Sequence, residues 1–142
     1  MNNQNIAYEV VNAWDAKEIV NLYESAGWWK NSADAWDAIA PLIKGSFAFM
    51  VATDGEKTVG MGRAISDGAS DAYIQDVVVL PEYQKLGIGK NIINSLTKYC
   101  VEKNIVWIGL IAEPGTLPFY EKLGFKAMHG FVPMRFPTKE IP

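Results

Sequence analysis

The chain has 142 residues, of which 49% are hydrophobic and 20% are charged, and its formal net charge is −3. A chain of this length buries roughly 68–70% of its unfolded surface, so we expect one domain over residues 1–142 with a proper core. The composition is ordinary for a globular protein. The absence of a basic stripe excludes a typical nucleic-acid binder, and the mild acidity suits a cationic small molecule.

Signals for export, membrane insertion and metal binding are absent from the sequence. The first residues, Met-Asn-Asn-Gln-Asn, do not resemble a signal peptide, and no run approaches the ~18 apolar residues of a membrane span. Cys100 and His129 are the single cysteine and histidine, which excludes an intrachain disulfide and a zinc site built from such ligands. The sequence therefore predicts a soluble, cytoplasmic protein with no membrane partner and no metal.

The predicted elements follow from hydrophobic spacing and from turn residues. Asp15 is a plausible N-cap, Asp54-Gly55 is a hairpin turn signal, and proline at 41 and 81 is expected to end a helix and a strand. The elements predicted in chain order are a strand over 7–12, helices over 16–26 and 32–39, strands over 46–52, 58–66 and 72–80, a helix from 88 to about 103, a strand over 105–112, a short helix over 117–123, and a last hairpin of strands 126–129 and 131–136.

This order, β-α-α-β-β-β-α-β-α-β-β, predicts an α/β (α+β) fold with a mixed central sheet of six to seven strands and helices on both faces. The helix that begins at Ile88 joins two strands that should be parallel, because such crossovers are right-handed. Cys100 falls on this helix and is interpreted as a buried, reduced thiol.

The most informative segment is a glycine turn between the apolar run Val77–Val79 and the helix at Ile88. Its residues are Gln84, Lys85, Leu86, Gly87, Ile88, Gly89 and Lys90. The first N–H groups of a helix have no partners inside the helix, and glycine lets a phosphate approach the backbone closely. The turn therefore predicts a phosphate-bearing ligand, although an ordinary strand–turn–helix connection remains open on this motif alone.

Two other phosphate-binding motifs do not fit this turn. A P-loop requires glycine where Gln84 stands and Ser or Thr where Asn91 follows the lysine. A dinucleotide fingerprint requires a third glycine at the place of Ile92.

A second motif follows the next predicted strand: Thr116-Leu117-Pro118-Phe119-Tyr120-Glu121-Lys122-Leu123-Gly124-Phe125. Together with the glycine turn, it resembles the GCN5-related N-acetyltransferase (GNAT) family. There a Gln/Arg-x-x-Gly-x-Gly/Ala turn precedes a long helix, and a Phe-Tyr-x-x-x-Gly-Phe segment follows the next strand. The resemblance is closest from Tyr73 to Phe125.

The resemblance implies acetyl-CoA as co-substrate. Its pyrophosphate would lie on the backbone N–H groups from Leu86 to Lys90, beside Gln84 and Lys85. Its pantetheine arm would run along Val77, Val78 and Val79 like an added strand, where the strand at 72–80 separates from its neighbour at 105–112. A backbone N–H near Val78 would polarise the thioester carbonyl. Burial of the valine side chains in the core is compatible with this role.

Tyr120 matches the usual general acid of the family, which protonates the leaving thiolate. The alternative is a tyrosine that only packs against Phe119 and Phe125. Many relatives place an asparagine seven residues before the tyrosine to hold the pantetheine amides, and here Glu113 stands in that cofactor-binding position.

The general base stays open. The segment 72–83 is similar to that of diamine acetyltransferases, in which an acidic pair precedes the apolar strand, but Gln75 replaces the first acid and only Asp76 is kept. An amide does not accept a proton at neutral pH. The base is therefore Asp76, a water held by Gln75 and Asp76, or solvent. A purely structural Asp76 is the alternative.

The acceptor amine should lie over the first helices, where Trp28 and Trp29 resemble the lining of the acceptor pocket in several relatives. Aromatic walls favour aryl or cationic amines. Structural roles for these tryptophans, and more so for Trp36, remain open. Phe131, Met134 and Phe136 are interpreted as core or dimer contacts, and relatives are often homodimers.

The sequence predicts an acetyl-CoA-dependent N-acetyltransferase that acts on a small primary amine by direct transfer in a ternary complex. Cys100 lies in the wrong element to act as an acyl-carrying nucleophile. Two alternatives remain: a regulatory module that binds acyl-CoA without turnover, and an N-acetyltransferase of proteins or peptides.

Overall fold

The computed structural model describes residues 5–138, which fall into two compact units that divide after Leu110. In its described part, residues 111–138, the second unit contains one helix, α4 (Leu117–Lys122). The first unit contains strands β1 (Ile6–Val10), β2 (Ala48–Asp54), β3 (Lys57–Ile65), β4 (Asp71–Val79) and β5 (Trp107–Gly109), and helices α1 (Ala16–Ser25), α2 (Ala33–Gly45) and α3 (Ile88–Glu102).

The five strands form one mixed sheet in the order β1-β2-β3-β4-β5. The first four are antiparallel neighbours. β4 and β5 are parallel, as predicted from the helical crossover α3 between them. The predicted fold class is confirmed, although the sheet has fewer strands in the described residues than the six to seven expected.

Helices α1 and α2 begin where the capping residues predict. The Asp15 side chain accepts from the N–H groups of Lys17 and Glu18, and Ser32 accepts from Ala35. The predicted end of the second helix at residue 39 is wrong, because α2 continues through Pro41 to Gly45. Pro41 lies on the exposed side of the helix, where water can reach the carbonyl that loses its donor, while Ile39 and Ile43 remain buried.

Helix α3 packs directly on β3 because two glycines leave room for it. A Cβ atom at Gly62 would lie 2.8 Å from Cγ2 of Ile92, and one at Gly60 would lie 3.1 Å from Cδ1 of the same residue. Successive side chains of a strand point to opposite faces, so Arg63 points to the face that α1 covers. There it shares a partner with Tyr23 of α1.

Two predicted elements at the end of the chain are corrected. The predicted last hairpin is wrong, because residues 126–129 and 131–136 form no strands. Apolar residues favour a strand mainly when their side chains pack against a neighbouring strand. Phe131, Met134 and Phe136 are exposed instead, so this segment lacks the packing that would stabilise a strand. The strand expected over 105–112 is confirmed only for Trp107–Gly109. Its pairing with β4 ends at Tyr73 and Gly109.

No helix within residues 5–138 has the length and apolar character that crossing a membrane would require. In the same range, Cys100 is fully buried, as predicted.

Candidate functional site

The candidate site in the first unit begins at a break in the regular pairing of β4. Met61 pairs with Val78 and Arg63 pairs with Gln75, so two residues of β4 lie opposite Gly62 alone. This is a β-bulge, which inserts one residue and changes the direction of the following side chains. Asp76, one of the two residues in the bulge, has a φ of 56° in the left-handed region.

Beyond the bulge, one edge of β4 is open. The pairing of β4 with β5 covers only Asp71 to Tyr73, and within residues 5–138 no other strand lies on that side of β4. Residues 74–79 therefore run past the end of β5 with no strand beside them on that edge, and residues 77–79 are half-buried. An extended ligand could bind there through main-chain hydrogen bonds.

Main-chain hydrogen bonds identify which residues face this open edge. Leu80 donates its N–H to the Val59 carbonyl, so Leu80 faces β3. Main-chain groups of neighbouring strand residues point to opposite edges, so those of Val79 point away from β3, where the Val79 carbonyl accepts from Nε2 of Gln84 at 3.1 Å. By the same alternation, Val78 faces β3 and Val77 faces the open edge.

The segment between β4 and α3 is anchored to the β2–β3 hairpin. Pro81–Tyr83 form a short 3-10 turn, and the Tyr83 hydroxyl donates to Oδ2 of Asp54 at 2.7 Å. The carboxylate of Asp54 raises the pKa of Tyr83, because it accepts the phenolic hydrogen bond. Lys57 forms an ion pair with Glu82 at 3.3 Å. These contacts fix the start of the glycine turn.

Helix α3 begins at the glycine turn, as predicted. Gly87 is its N-cap in the left-handed conformation, with φ 84°, and no side chain of the described residues caps the helix. The first turn contains no acidic residue, and Lys85 and Lys90 are exposed nearby in the sequence. A helix start with these properties favours an anion through its N–H groups and its dipole, so the residues present fit a diphosphate.

Asp76 is held by two residues that the sequence alone did not single out for the site. Its Oδ2 atom accepts from the Tyr23 hydroxyl and from Nε of Arg63, each at 2.7 Å. The Asp76 side chain remains 23% exposed and that of Arg63 17%. Burial, followed by the bond to Asp76, raises the pKa of Tyr23 far above its ordinary value, so Tyr23 is a hydrogen-bond donor at neutral pH.

The predicted acceptor residues are partly brought together. The ring of Trp29 stacks on Tyr23 with centroids 4.0 Å apart, and Trp28 contacts the same ring edge-on at 6.2 Å. Trp29 is thus one ring away from the Asp76 carboxylate. Trp36 makes other contacts, because its indole donates to Asn31 and Lys17 lies over its ring. Gln75 pairs with Arg63 and is exposed.

Tyr120 and Glu113 belong to the second unit. Tyr120 lies on α4, half-buried, with edge-to-face contacts to Phe119 and Phe125. Burial, and then the charge of Glu113, raise the pKa of Tyr120 above its ordinary value. The phenol therefore keeps its proton at neutral pH, as a general acid requires. Glu113 is exposed, and its carbonyl accepts from the Thr116 hydroxyl.

Residues 5–138 contain no group of three or more His, Cys, Asp or Glu side chains that could hold a metal ion.

Comparison with known proteins identifies the family. A family model described as "Acetyltransferase (GNAT) domain" matches residues 30–132, which is more than half of the chain. The chain belongs to the GNAT family of N-acetyltransferases, and the resemblance inferred from the two sequence motifs is confirmed.

Individual relatives agree with this assignment. "Uncharacterized N-acetyltransferase ycf52" of Pyropia yezoensis is 46% identical over 69 residues, which make up 49% of this chain and 40% of that protein. "Histone acetyltransferase TAP1" of Glycine max is 42% identical over 72 residues, 51% of this chain and 31% of that protein. The match thus spans less than half the length of either relative.

Among solved structures, "Acetyltransferase, GNAT family protein SP0256" of Streptococcus pneumoniae TIGR4 is similar over 95% of this chain and 99% of that one. The TM-score is 0.75 and the sequence identity is 26%. This similarity supports the fold over nearly the whole length.

Proposed function

We propose that this protein transfers the acetyl group of acetyl-CoA to the primary amine of a small molecule, by direct attack in a ternary complex. The observation that carries the proposal is the continuity of the open edge of β4 with the left-handed turn at Gly87 and the uncapped start of α3. An extended arm and a diphosphate need these two features in this order, because one pairs with a strand edge and the other with helix N–H groups.

Each residue of the cofactor site has a proposed role. The N–H groups from Ile88 to Lys90 bind the diphosphate, with Lys85 and Lys90 adding positive charge. The main chain of Val77 and Val79 binds the pantetheine amides. One of these two N–H groups, which flank Val78 and face the open edge, polarises the thioester carbonyl. Glu113 binds the pantetheine arm through its main chain, because its side chain is a carboxylate where many relatives have the amide of an asparagine.

The reaction needs one proton donor and one proton acceptor. The neutral amine nitrogen forms a bond to the carbonyl carbon, the carbon–sulfur bond breaks, and Tyr120 gives its phenolic proton to the sulfur. The amine proton passes to Asp76, to a water held by Gln75 and Asp76, or to solvent. Trp28 and Trp29 contact the acceptor, and the partly exposed carboxylate of Asp76 supports a cationic amine as the acceptor class.

Two measurements test this proposal. Calorimetry with CoA tests the cofactor site, and a thiol-release assay with acetyl-CoA tests turnover across polyamines, aryl amines, amino acids and peptides. We expect CoA to bind and thiol release to depend on a small amine. No heat with CoA would exclude the proposed cofactor site, and binding without release for any amine would favour a regulatory module that binds acyl-CoA.

A protein or peptide N-acetyltransferase is the second candidate. It is favoured by the name of the Glycine max relative, a histone acetyltransferase that shares 42% identity over 72 residues. Thiol release with histone peptides and none with small amines in the same assay would select it.

A further inference from the structure

Asp76 has an unfavourable backbone conformation in the middle of a strand. Asp76, Lys85 and Asn104 are the non-glycine residues with positive φ among those described, and the latter two lie in turns. A residue other than glycine adopts this conformation only when its surroundings hold it there. The conformation of Asp76 therefore needs a structural cause.

The two donors to Asp76 come from two different elements. Arg63 lies on the neighbouring strand, opposite Gln75, and Tyr23 lies on α1. Both donate to the same carboxylate oxygen at 2.7 Å, and Tyr23 is 2% exposed. Hydrogen bonds that involve a charged group are stronger than neutral ones, and partial burial limits competition from water.

The bulge determines which main-chain groups of β4 face the open edge. Arg63 is paired with Gln75 and bonds to Asp76, so these two successive residues lie on the same face of the sheet. After Asp76, each side chain of β4 therefore points to the face opposite to the one it would occupy in a regular strand. The Val77 side chain points toward Gly62 and α3. Without the inserted residue, the main-chain groups of Val77 and Val79 would face β3 instead of the open edge.

We propose that Tyr23 and Arg63 are positioning residues that hold Asp76 in its left-handed conformation and thereby direct the main chain of Val77 and Val79 to the open edge of β4. The link from this edge to CoA affinity rests on the proposed function. The effect on the strand itself does not.

The test measures amide hydrogen exchange in the ligand-free protein and CoA affinity by calorimetry. Tyr23→Phe removes only the hydroxyl, and Arg63→Gln removes the charge. Each should raise exchange at Val78 and Leu80, whose N–H groups face β3, relative to the amides of α3, and weaken CoA binding by about tenfold. Tyr99→Phe is the matched control, because Tyr99 interacts through its ring, with Phe47 and with the ammonium group of Lys103.

A glycine variant tests the cause directly. Asp76→Gly adopts a positive φ without any carboxylate, so Tyr23→Phe added to Asp76→Gly should change neither exchange nor affinity further. Asp76→Ala, which lacks both the carboxylate and this freedom, should raise exchange more than Asp76→Gly.

Unchanged exchange at Val78 and Leu80 in both Tyr23→Phe and Arg63→Gln, compared with the wild type, would overturn the inference. A failure of the wild-type protein to bind CoA would count against the proposed function, while the exchange measurements would still decide the role of Tyr23 and Arg63.

Discussion

At the scale of single residues, Tyr120 is the side chain on which the proposed chemistry depends most. Tyr120→Phe should lower kcat by about a hundredfold or more while CoA affinity stays near the wild-type value, because a general acid acts only in the reaction step. Steady-state kinetics and calorimetry separate the two effects. Phe119→Leu is a suitable control for lost ring contacts, and equal turnover in Tyr120→Phe and wild type would remove Tyr120 from the mechanism.

The pH dependence of kcat follows from the raised pKa of Tyr120. Burial and Glu113 both favour the protonated phenol, so the acid form persists as the pH rises past the ordinary tyrosine pKa near 10.0. At saturating amine, kcat should therefore show no fall up to about pH 10. Glu113→Gln lowers the pKa of Tyr120 toward its ordinary value, and a fall in kcat should then begin at lower pH than in the wild type.

At the scale of elements, the left-handed turn at Gly87 is needed both to begin α3 and, as proposed, to bind the diphosphate. Gly87→Ala should cost about 1–2 kcal/mol of stability, because a Cβ atom is unfavourable in the left-handed conformation. It should also weaken CoA binding by about tenfold, since this Cβ would project into open space at the proposed diphosphate site. Gly68→Ala is a matched control, with φ 81° in another turn.

Denaturation and calorimetry on both variants separate these effects. Gly68→Ala should lose stability by a similar amount and keep its CoA affinity. Equal affinity in Gly87→Ala and Gly68→Ala would argue that the turn serves the fold alone.

The contact of α3 with β3 gives a prediction about stability. Gly62→Ala should lower the free energy of unfolding by about 1–3 kcal/mol, because the added Cβ meets Ile92, Leu96 and Val77 in a filled core. Gly45→Ala, where nothing lies within 4 Å, should leave it unchanged or slightly raise it. Chemical denaturation measures both, and equal stability of the two variants would contradict the close packing.

Local sequence patterns predicted the elements that local chemistry determines. The cap at Asp15, the hairpin turn at Asp54-Gly55 and the helix start at Ile88 are all confirmed, because each depends on neighbours in the chain. The extension of α2 past Pro41 was missed, since burial of Ile43 outweighs one lost hydrogen bond.

Contacts between residues far apart in the sequence could not be predicted from local sequence patterns. The bulge at Asp76 leaves no local pattern, because its donors lie 53 and 13 residues away in the sequence. Tyr23 lies on the buried face of α1, but no local pattern identifies the partner of its hydroxyl. Arg63 was the available signal, because it interrupts the apolar run 59–65 of β3 and a largely buried guanidinium requires an acceptor.

At the scale of the whole molecule, we expect this chain to form a homodimer. Phe131, Met134 and Phe136, which are close together in the sequence, are 75%, 90% and 84% exposed, and several large exposed apolar side chains within one short segment are typical of an interface. A second copy is the expected partner, because the same exposed apolar residues of two copies can pack against each other in a twofold interface.

Light scattering after size exclusion should therefore give twice the chain mass. Met134→Lys should shift the measured mass toward that of the monomer. Val101→Lys, which changes an exposed apolar residue elsewhere, on α3, should not. A monomer at all concentrations would contradict the expectation.

The anchoring of the 3-10 turn by the hairpin tip has a practical consequence for protein engineering. Exposed hairpin tips are usually the first choice for inserting an epitope tag or a fluorescent label. Here Asp54 and Lys57 hold Tyr83 and Glu82, so an insertion between β2 and β3 would release the loop that leads into α3. Labels are better placed in the connection between β3 and β4.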